Sequence, residues 1–129
     1  MQKSFVISVL KDSYAVCRLN AFEGIPDWAL GSPLSSVTRT SEELSVVCPA
    51  EVVPENVDCE QNWKCLKIQG PLALNEAGIV SGITTSLASA DISVFVLSTY
   101  ETDYILVKQM NLAKAAKVLT ESGHEIFYD

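Results

Sequence analysis

Ser98-Thr99-Tyr100-Glu101-Thr102-Asp103-Tyr104-Ile105-Leu106-Val107 is the stretch on which the fold reading turns. Each residue from Ser98 to Asp103 bears a hydroxyl or a carboxylate, and the set stands between two apolar runs, Ile92–Leu97 and Ile105–Val107. Two half-buried strands joined by a tight polar turn fit that pattern. The turn offers hydroxyls, carbonyls and two carboxylates, Glu101 and Asp103, which suit an ammonium or a guanidinium better than they suit a reaction. Short polar side chains in turns also satisfy local backbone groups, so that role stays open for Thr99, Thr102 and Asp103.

Outward from the hairpin, the C-terminal half reads as βαββαβ. Trp63–Gln69 is a strand bounded by Gly70-Pro71. Gly78–Ala90 places Ile79, Ile83 and Leu87 on one helical stripe, with Asn75 upstream as a candidate N-cap. Asn111–Ser122 carries Leu112, Ala115 or Ala116, and Leu119 on one face, with Asn111 as N-cap and Gly123 just past the end. His124–Tyr128 closes the order as a last strand. The fold class expected is α+β, a βαββαβ module preceded by a truncated copy of itself.

The truncated copy is read from an internal repeat. Val37–Val47 aligns with Val96–Leu106 at an offset of 59, and Val37/Val96, Thr40/Thr99 and Glu42/Glu101 are identical. Tyr14–Asn20 resembles Trp63–Gln69 at an offset of 49, so the first copy is ten residues shorter between its first strand and its hairpin. The missing residues correspond to most of the helix Gly78–Ala90. Only Pro26-Asp27-Trp28-Ala29-Leu30 remains, enough for about one helical turn. The boundaries expected are 1–60 for the truncated module and 61–129 for the full one, with Pro49–Asn62 as a loop crossing between them.

Composition narrows the function classes. Across 129 residues the net charge is -7, which disfavours nucleic acid and anionic membranes as partners. No apolar run approaches the length of a spanning helix. The stretch Phe5–Leu10 is followed at once by Lys11 and Asp12 and reads as a strand rather than a leader, so a cytoplasmic protein is expected. Ser41–Glu60 holds six acids and no Lys or Arg, a solvated face before it is a binding run. Cys17, Cys48, Cys59 and Cys65 form no C-x-x-C pair and read as reduced, buried hydrophobes; no metal and no cofactor is expected. The single histidine, His124, sits at the edge of the last strand and reads as a rim residue. Without it no Ser-His-Asp set forms, and there is neither a P-loop lysine nor a G-x-G-x-x-G. The reading is non-catalytic. What remains is a binding constellation: free N–H groups at the helix start around Glu76, Ala77, Gly78 and Ile79 suit a carboxylate, and the polar turn suits a cation. Together they complement a free amino acid.

At these residues a family resemblance emerges. Val37-Thr38-Arg39-Thr40, Glu43-Leu44-Ser45, Gly78-Ile79-Val80, Ile92-Ser93-Val94 and the block Ser98–Val107 resemble the ACT-domain proteins related to CASTOR, the cytosolic arginine sensors. Tyr14–Leu19 and Pro26-Asp27-Trp28 resemble small prokaryotic members with two ACT modules per chain. The resemblance implies a ferredoxin-like (ACT) βαββαβ module with a shortened companion module, and amino-acid recognition between paired modules, with a homodimer rebuilding a set of four. It implies ligand contacts at Glu76, Ala77, Gly78 and Ile79 of the helix-start loop, and at Thr99, Tyr100, Glu101 and Asp103 of the turn. Ser93 and Val94 would come from the facing module, and Asp103 would hold a basic side chain. A ligand-free structural or protein-interaction module, or a regulatory subunit of an amino-acid metabolic enzyme, are the other readings.

Overall fold

The computed structural model describes residues 4–31, 33–69 and 78–129. These residues fall into two compact units, Met1–Lys11 with Lys64–Asp129, and Asp12–Trp63. Two long strands, β1 (Val6–Leu19) and β4 (Asp58–Ile68), each contribute one end to each unit.

In the larger unit, β4 leads to α1 (Ile79–Ser89), β5 (Val94–Ser98), β6 (Asp103–Lys108), α2 (Leu112–Glu121) and β7 (Glu125–Tyr128). This is the expected βαββαβ order. The strands lie as β7-β1-β4-β6-β5, with the N-terminal end of β1 inserted between the last and first strands of the module. β5 and β6 are antiparallel from Val94↔Val107 to Ser98↔Asp103, while β1 and β7 are parallel from Val6↔Glu125 to Val9↔Tyr128. The helices bury the stripe Ile79, Ile83, Leu87 and the pair Ala115, Leu119 against Ile7, Val9, Leu66, Ile68, Ile105 and Val107. Strand periodicity turns alternate residues to opposite faces, so Asp103, Ile105 and Val107 share the helix-covered face and Tyr104 and Leu106 the other.

Both helices end the same way. Past α1, Asp91 is left-handed (φ 62°), and the N–H groups of Asp91 and Ile92 reach the carbonyls of Ala88 and Leu87 at 2.9 and 3.1 Å. Past α2, Gly123 (φ 99°) and His124 repeat this onto Thr120 and Leu119, both at 3.0 Å. These are Schellman closures, which pair the carbonyls a helix end leaves open and set an apolar contact behind them. Ile92 fills that apolar position in the first, and His124 fills it in the second. The histidine is therefore buried, at 4% exposure, rather than on a rim. Its ring stacks on Phe5 at 5.9 Å between centroids, and its Nδ1 accepts the Phe5 N–H at 3.0 Å. Asn111 does precede α2 but makes no side-chain cap, because the chain enters through a 3-10 turn, Gln109–Asn111. Asn75 and Gly70-Pro71 lie outside the described residues.

In the smaller unit, the C-terminal end of β1 is followed by a 3-10 turn (Asp27–Ala29), β2 (Ser36–Arg39), β3 (Leu44–Pro49), a second 3-10 turn (Ala50–Val52) and the start of β4. Its strand order is β2-β3-β1-β4. Both helices of the repeat are thus reduced to single turns, the first at the residues expected to keep about one turn. The core is small: Ala15, Cys17, Ala29, Leu44, Val46 and Cys48. Strand β4 begins at Asp58, so the expected loop over Pro49–Asn62 is shorter than the sequence suggests. Asp58 to Gln61 are mostly exposed and polar, which hides the strand from a hydrophobic pattern. Asn62 is left-handed inside β4 (φ 67°), the mark of a bulge, and Asn is among the residues that tolerate it.

Candidate functional site

The hairpin between β5 and β6 is closed by its own hydroxyls. Thr99 N–H donates to the Thr102 carbonyl at 2.8 Å, and Thr102 N–H donates to Thr99 Oγ1 at 3.3 Å. The hairpin of the smaller unit does the same at the expected offset: Thr40 N–H reaches the Glu43 carbonyl at 2.9 Å, and Glu43 N–H reaches Thr40 Oγ1 at 3.1 Å. The identical threonines of the repeat are turn formers first. Thr102 itself is buried and donates from Oγ1 to the Ile68 carbonyl at 2.5 Å. That bond fixes the turn beside the C-terminal end of β4, the end from which the chain leaves towards α1.

Asp103 is not at the tip of the turn. It is the first residue of β6, half-buried, and its Oδ1 accepts the Ser98 hydroxyl at 2.5 Å across the strand pair. A carboxylate held in this way keeps further lone pairs for a cation.

The other turn residues face a cleft of about 410 Å3 lined by Lys67, Gln69, Thr99, Tyr100, Glu101, Thr102 and Tyr104. Tyr100 is exposed to 81% and Glu101 is exposed. Lys67 and Gln69 alternate with Leu66 and Ile68 on β4, which lie in the core, so they project from the face away from the helices. Sequence reasoning missed Lys67, Gln69 and Tyr104. The alternation along β4 and β6 carried the signal, because each lies one residue from a core position.

Gly78 precedes α1 in a left-handed conformation (φ 86°) and caps it without a side chain. A Cβ there would meet nothing within 4 Å, so glycine is required by the backbone and not by crowding. Ile79 is buried in the core, which leaves its backbone N–H as the group available at the helix start. Glu76 and Ala77 lie outside the described residues.

Ser93 is exposed just before β5, and Val94 packs against the core. They stand at the far end of β5 from Ser98. Five residues of strand span about 17 Å, so within one chain they do not share a small-molecule site with the turn. The structure thus gathers Thr99, Tyr100 and Glu101 in the cleft, sets Asp103 on the helix-covered face beside them, and separates Ser93 and Val94 from both. Among the described residues no grouping of three or more His, Cys, Asp or Glu has metal-site geometry. No helix among them is long and apolar enough to cross a membrane.

Comparison with known proteins bears on the family and the fold. A family model for the ACT domain matches residues 58–121, and a model for an N-terminal domain matches residues 12–56. The chain is 40% identical over 58 residues to the human protein named cytosolic arginine sensor for mTORC1 subunit 1, a match covering 44% of this chain and 18% of that protein. The mouse protein of the same name is 29% identical over 122 residues, covering 88% of this chain and 36% of its own length. The chain therefore spans only about a third or less of these curated relatives. The crystal structure of protein Atu0741 from Agrobacterium tumefaciens superposes with a TM-score of 0.94 at 38% identity, over 99% of this chain and 96% of that one. The regulatory subunit of aspartate kinase from Thermus flavus superposes with a TM-score of 0.63 at 8% identity, over 93% and 99%, a likeness of fold alone.

Proposed function

The chain belongs to the ACT-domain family, with the cytosolic arginine sensors among its relatives, and from that premise we propose that it is a non-catalytic, amino-acid-binding regulatory module of the cytoplasm. The ligand is a free amino acid, a basic one in the first instance, held between modules of a homodimer. The module within 61–129 presents the helix start and the turn. The truncated module within 1–60 completes the chain's pair, and a second copy brings the set to four. The observation that carries the reading is the carboxylate of Asp103, fixed by Ser98 on a hairpin docked at the end of β4. A preorganised carboxylate at that place favours a cation without first paying to order itself. In this reading Glu76, Ala77, Gly78 and Ile79 receive the ligand carboxylate, Thr99, Tyr100, Glu101 and Asp103 its amino and side-chain groups, and Ser93 and Val94 come from the second copy. The distance along β5 supports that last assignment, because it leaves the site incomplete in a single chain.

The test is calorimetric titration with arginine, lysine and the neutral amino acids, beside light scattering. A dimer that binds a basic amino acid is expected. Asp103→Ala should weaken binding roughly 10- to 100-fold, the worth of a charge-assisted pair, and leave the dimer intact. A monodisperse monomer that binds no amino acid would favour a ligand-free interaction module instead.

A further inference from the structure

We propose that the smaller unit carries a second amino-acid site, in a cleft of about 720 Å3 between the end of β1, the loop that follows it and the segment leading into β4. Its chemistry is set by Arg18, Asn20, Glu23, Trp28 and Asp58. The ligand class is a zwitterionic α-amino acid with a large apolar side chain. The inference rests in part on the reading of the β5–β6 hairpin cleft, to which the internal repeat relates it, and in part on the charges of this cleft alone.

The internal repeat supplies the first argument. At the offset of 49, Arg18 corresponds to Lys67 and Asn20 to Gln69. Lys67 and Gln69 line the cleft of the larger unit, and Arg18 and Asn20 line the cleft of the smaller one. Each unit thus sets a cation and a carboxamide at the same two positions of its first strand, and each cleft adds a carboxylate and an aromatic ring.

Unspent charge supplies the second. Among the described residues Arg18 makes one long hydrogen bond, 3.4 Å from Nη2 to the Glu42 carbonyl, and the carboxylates of Glu23 and Asp58 take no partner. A guanidinium fork fits a carboxylate bidentately. An ammonium has three donors, so two carboxylates accept it together. Asn20 accepts the Phe22 N–H on its Oδ1 at 3.0 Å and keeps its amide donors for the ligand. The wall is also anchored. Arg39 of β2 donates from Nη1 to the Ala21 carbonyl and from Nη2 to the Glu23 carbonyl at 2.7 Å, which holds the loop in place. The indole of Trp28 with Pro26 and Pro54 gives an apolar floor for a side chain.

Nuclear magnetic resonance of the full chain labelled with nitrogen-15 tests this. The chain has two tryptophans, so two indole signals, and Trp28→Phe assigns them. Titration with L-phenylalanine should shift the Trp28 indole and the Asn20 and Gly24 amides saturably. Phenylalaninamide, which lacks the carboxylate, and N-acetylphenylalanine, which lacks the ammonium, should bind roughly tenfold or more weakly, the loss of a charge-assisted hydrogen bond. Arg18→Met and the exposed Glu23→Gln should each weaken phenylalanine by a similar factor. If Arg18→Met loses signal dispersion, Glu23→Gln decides. In the Asp103→Ala protein the Trp28 shift should persist, which separates this cleft from the hairpin site. Absence of a saturable Trp28 shift with any amino acid overturns the proposal. So does equal binding of phenylalaninamide, or a shift that survives both Arg18→Met and Glu23→Gln.

Discussion

Cys59 is the thiol a reagent should meet first. It is half-buried, whereas Cys17, Cys48 and Cys65 are buried. Burial pushes the Cys65 thiol up to about 12. The hydrogen bond between Cys17 and Cys48 raises the first and lowers the second. Because the thiolate is the reacting form and needs access, iodoacetamide at mild alkaline pH should label Cys59 in the folded protein and reach Cys65 only in denaturant. Peptide mapping checks this, and Cys59→Ser should remove the fast reaction. His124 gives a second residue-scale expectation. Burial holds its imidazole below the ordinary histidine range, and the acceptor role of Nδ1 towards Phe5 needs the neutral ring. The unfolded chain therefore takes up the proton at a higher pH than the native one. Stability should be full above roughly pH 6.5 and fall as pH drops below it, because only the unfolded state then binds the proton. Melting from pH 8 to 5 should show this slope, and His124→Gln should flatten it. The sequence hid the burial of His124 because a lone histidine after Gly123 looks like a surface turn. The comparison that reveals it is Leu119–His124 against Leu87–Ile92, two helix endings of the same length.

Among elements, the two hairpins were the most legible parts of the chain, since alternation and turn chemistry agree there. Thr102 is the residue on which the β5–β6 hairpin depends. Thr102→Val keeps its shape but leaves the buried Ile68 carbonyl without that donor, at a cost of about 1–3 kcal/mol. Thr99→Val, on an exposed residue, should cost about 0.5–1.5 kcal/mol. Denaturant unfolding with an unchanged slope would check both. A larger loss from Thr99 than from Thr102 would mean that the dock onto β4 is not what holds the turn. The helices were legible from their stripes, but the first half of β4 was not. Its ladder partners, rather than its side chains, keep Asp58–Gln61 extended, and Asn62 breaks the alternation. The site was legible in part for the same reason. Turn residues announce themselves by type, so Thr99, Tyr100 and Glu101 could be named. Which face Asp103 takes, and that Lys67 and Gln69 meet the turn, depend on strand pairing that one strand's sequence does not state.

At the scale of the molecule, the N-terminal end of β1 belongs to the larger unit. Ile7 and Val9 lie in its core, and the strand pairs with both β4 and β7. Each buried aliphatic side chain contributes about 1.5–3 kcal/mol, against a total stability of about 5–15 kcal/mol. A chain starting at residue 12 should therefore lose cooperative thermal unfolding of the larger unit, seen as collapsed amide dispersion for residues 79–128. Retention of that dispersion would show that β1 only decorates the module. The parallel ladder from Val6↔Glu125 to Val9↔Tyr128 joins the first strand to the last. On the ribosome, residues 12–63 can complete their own unit while the start of β1 still waits for the end of β4 and for β7. The larger unit closes only when β7 emerges. A product released before that point keeps a bare strand edge, which invites proteolysis or aggregation. The β1–β7 ladder thus ties the closing of the larger unit to the arrival of Glu125–Tyr128.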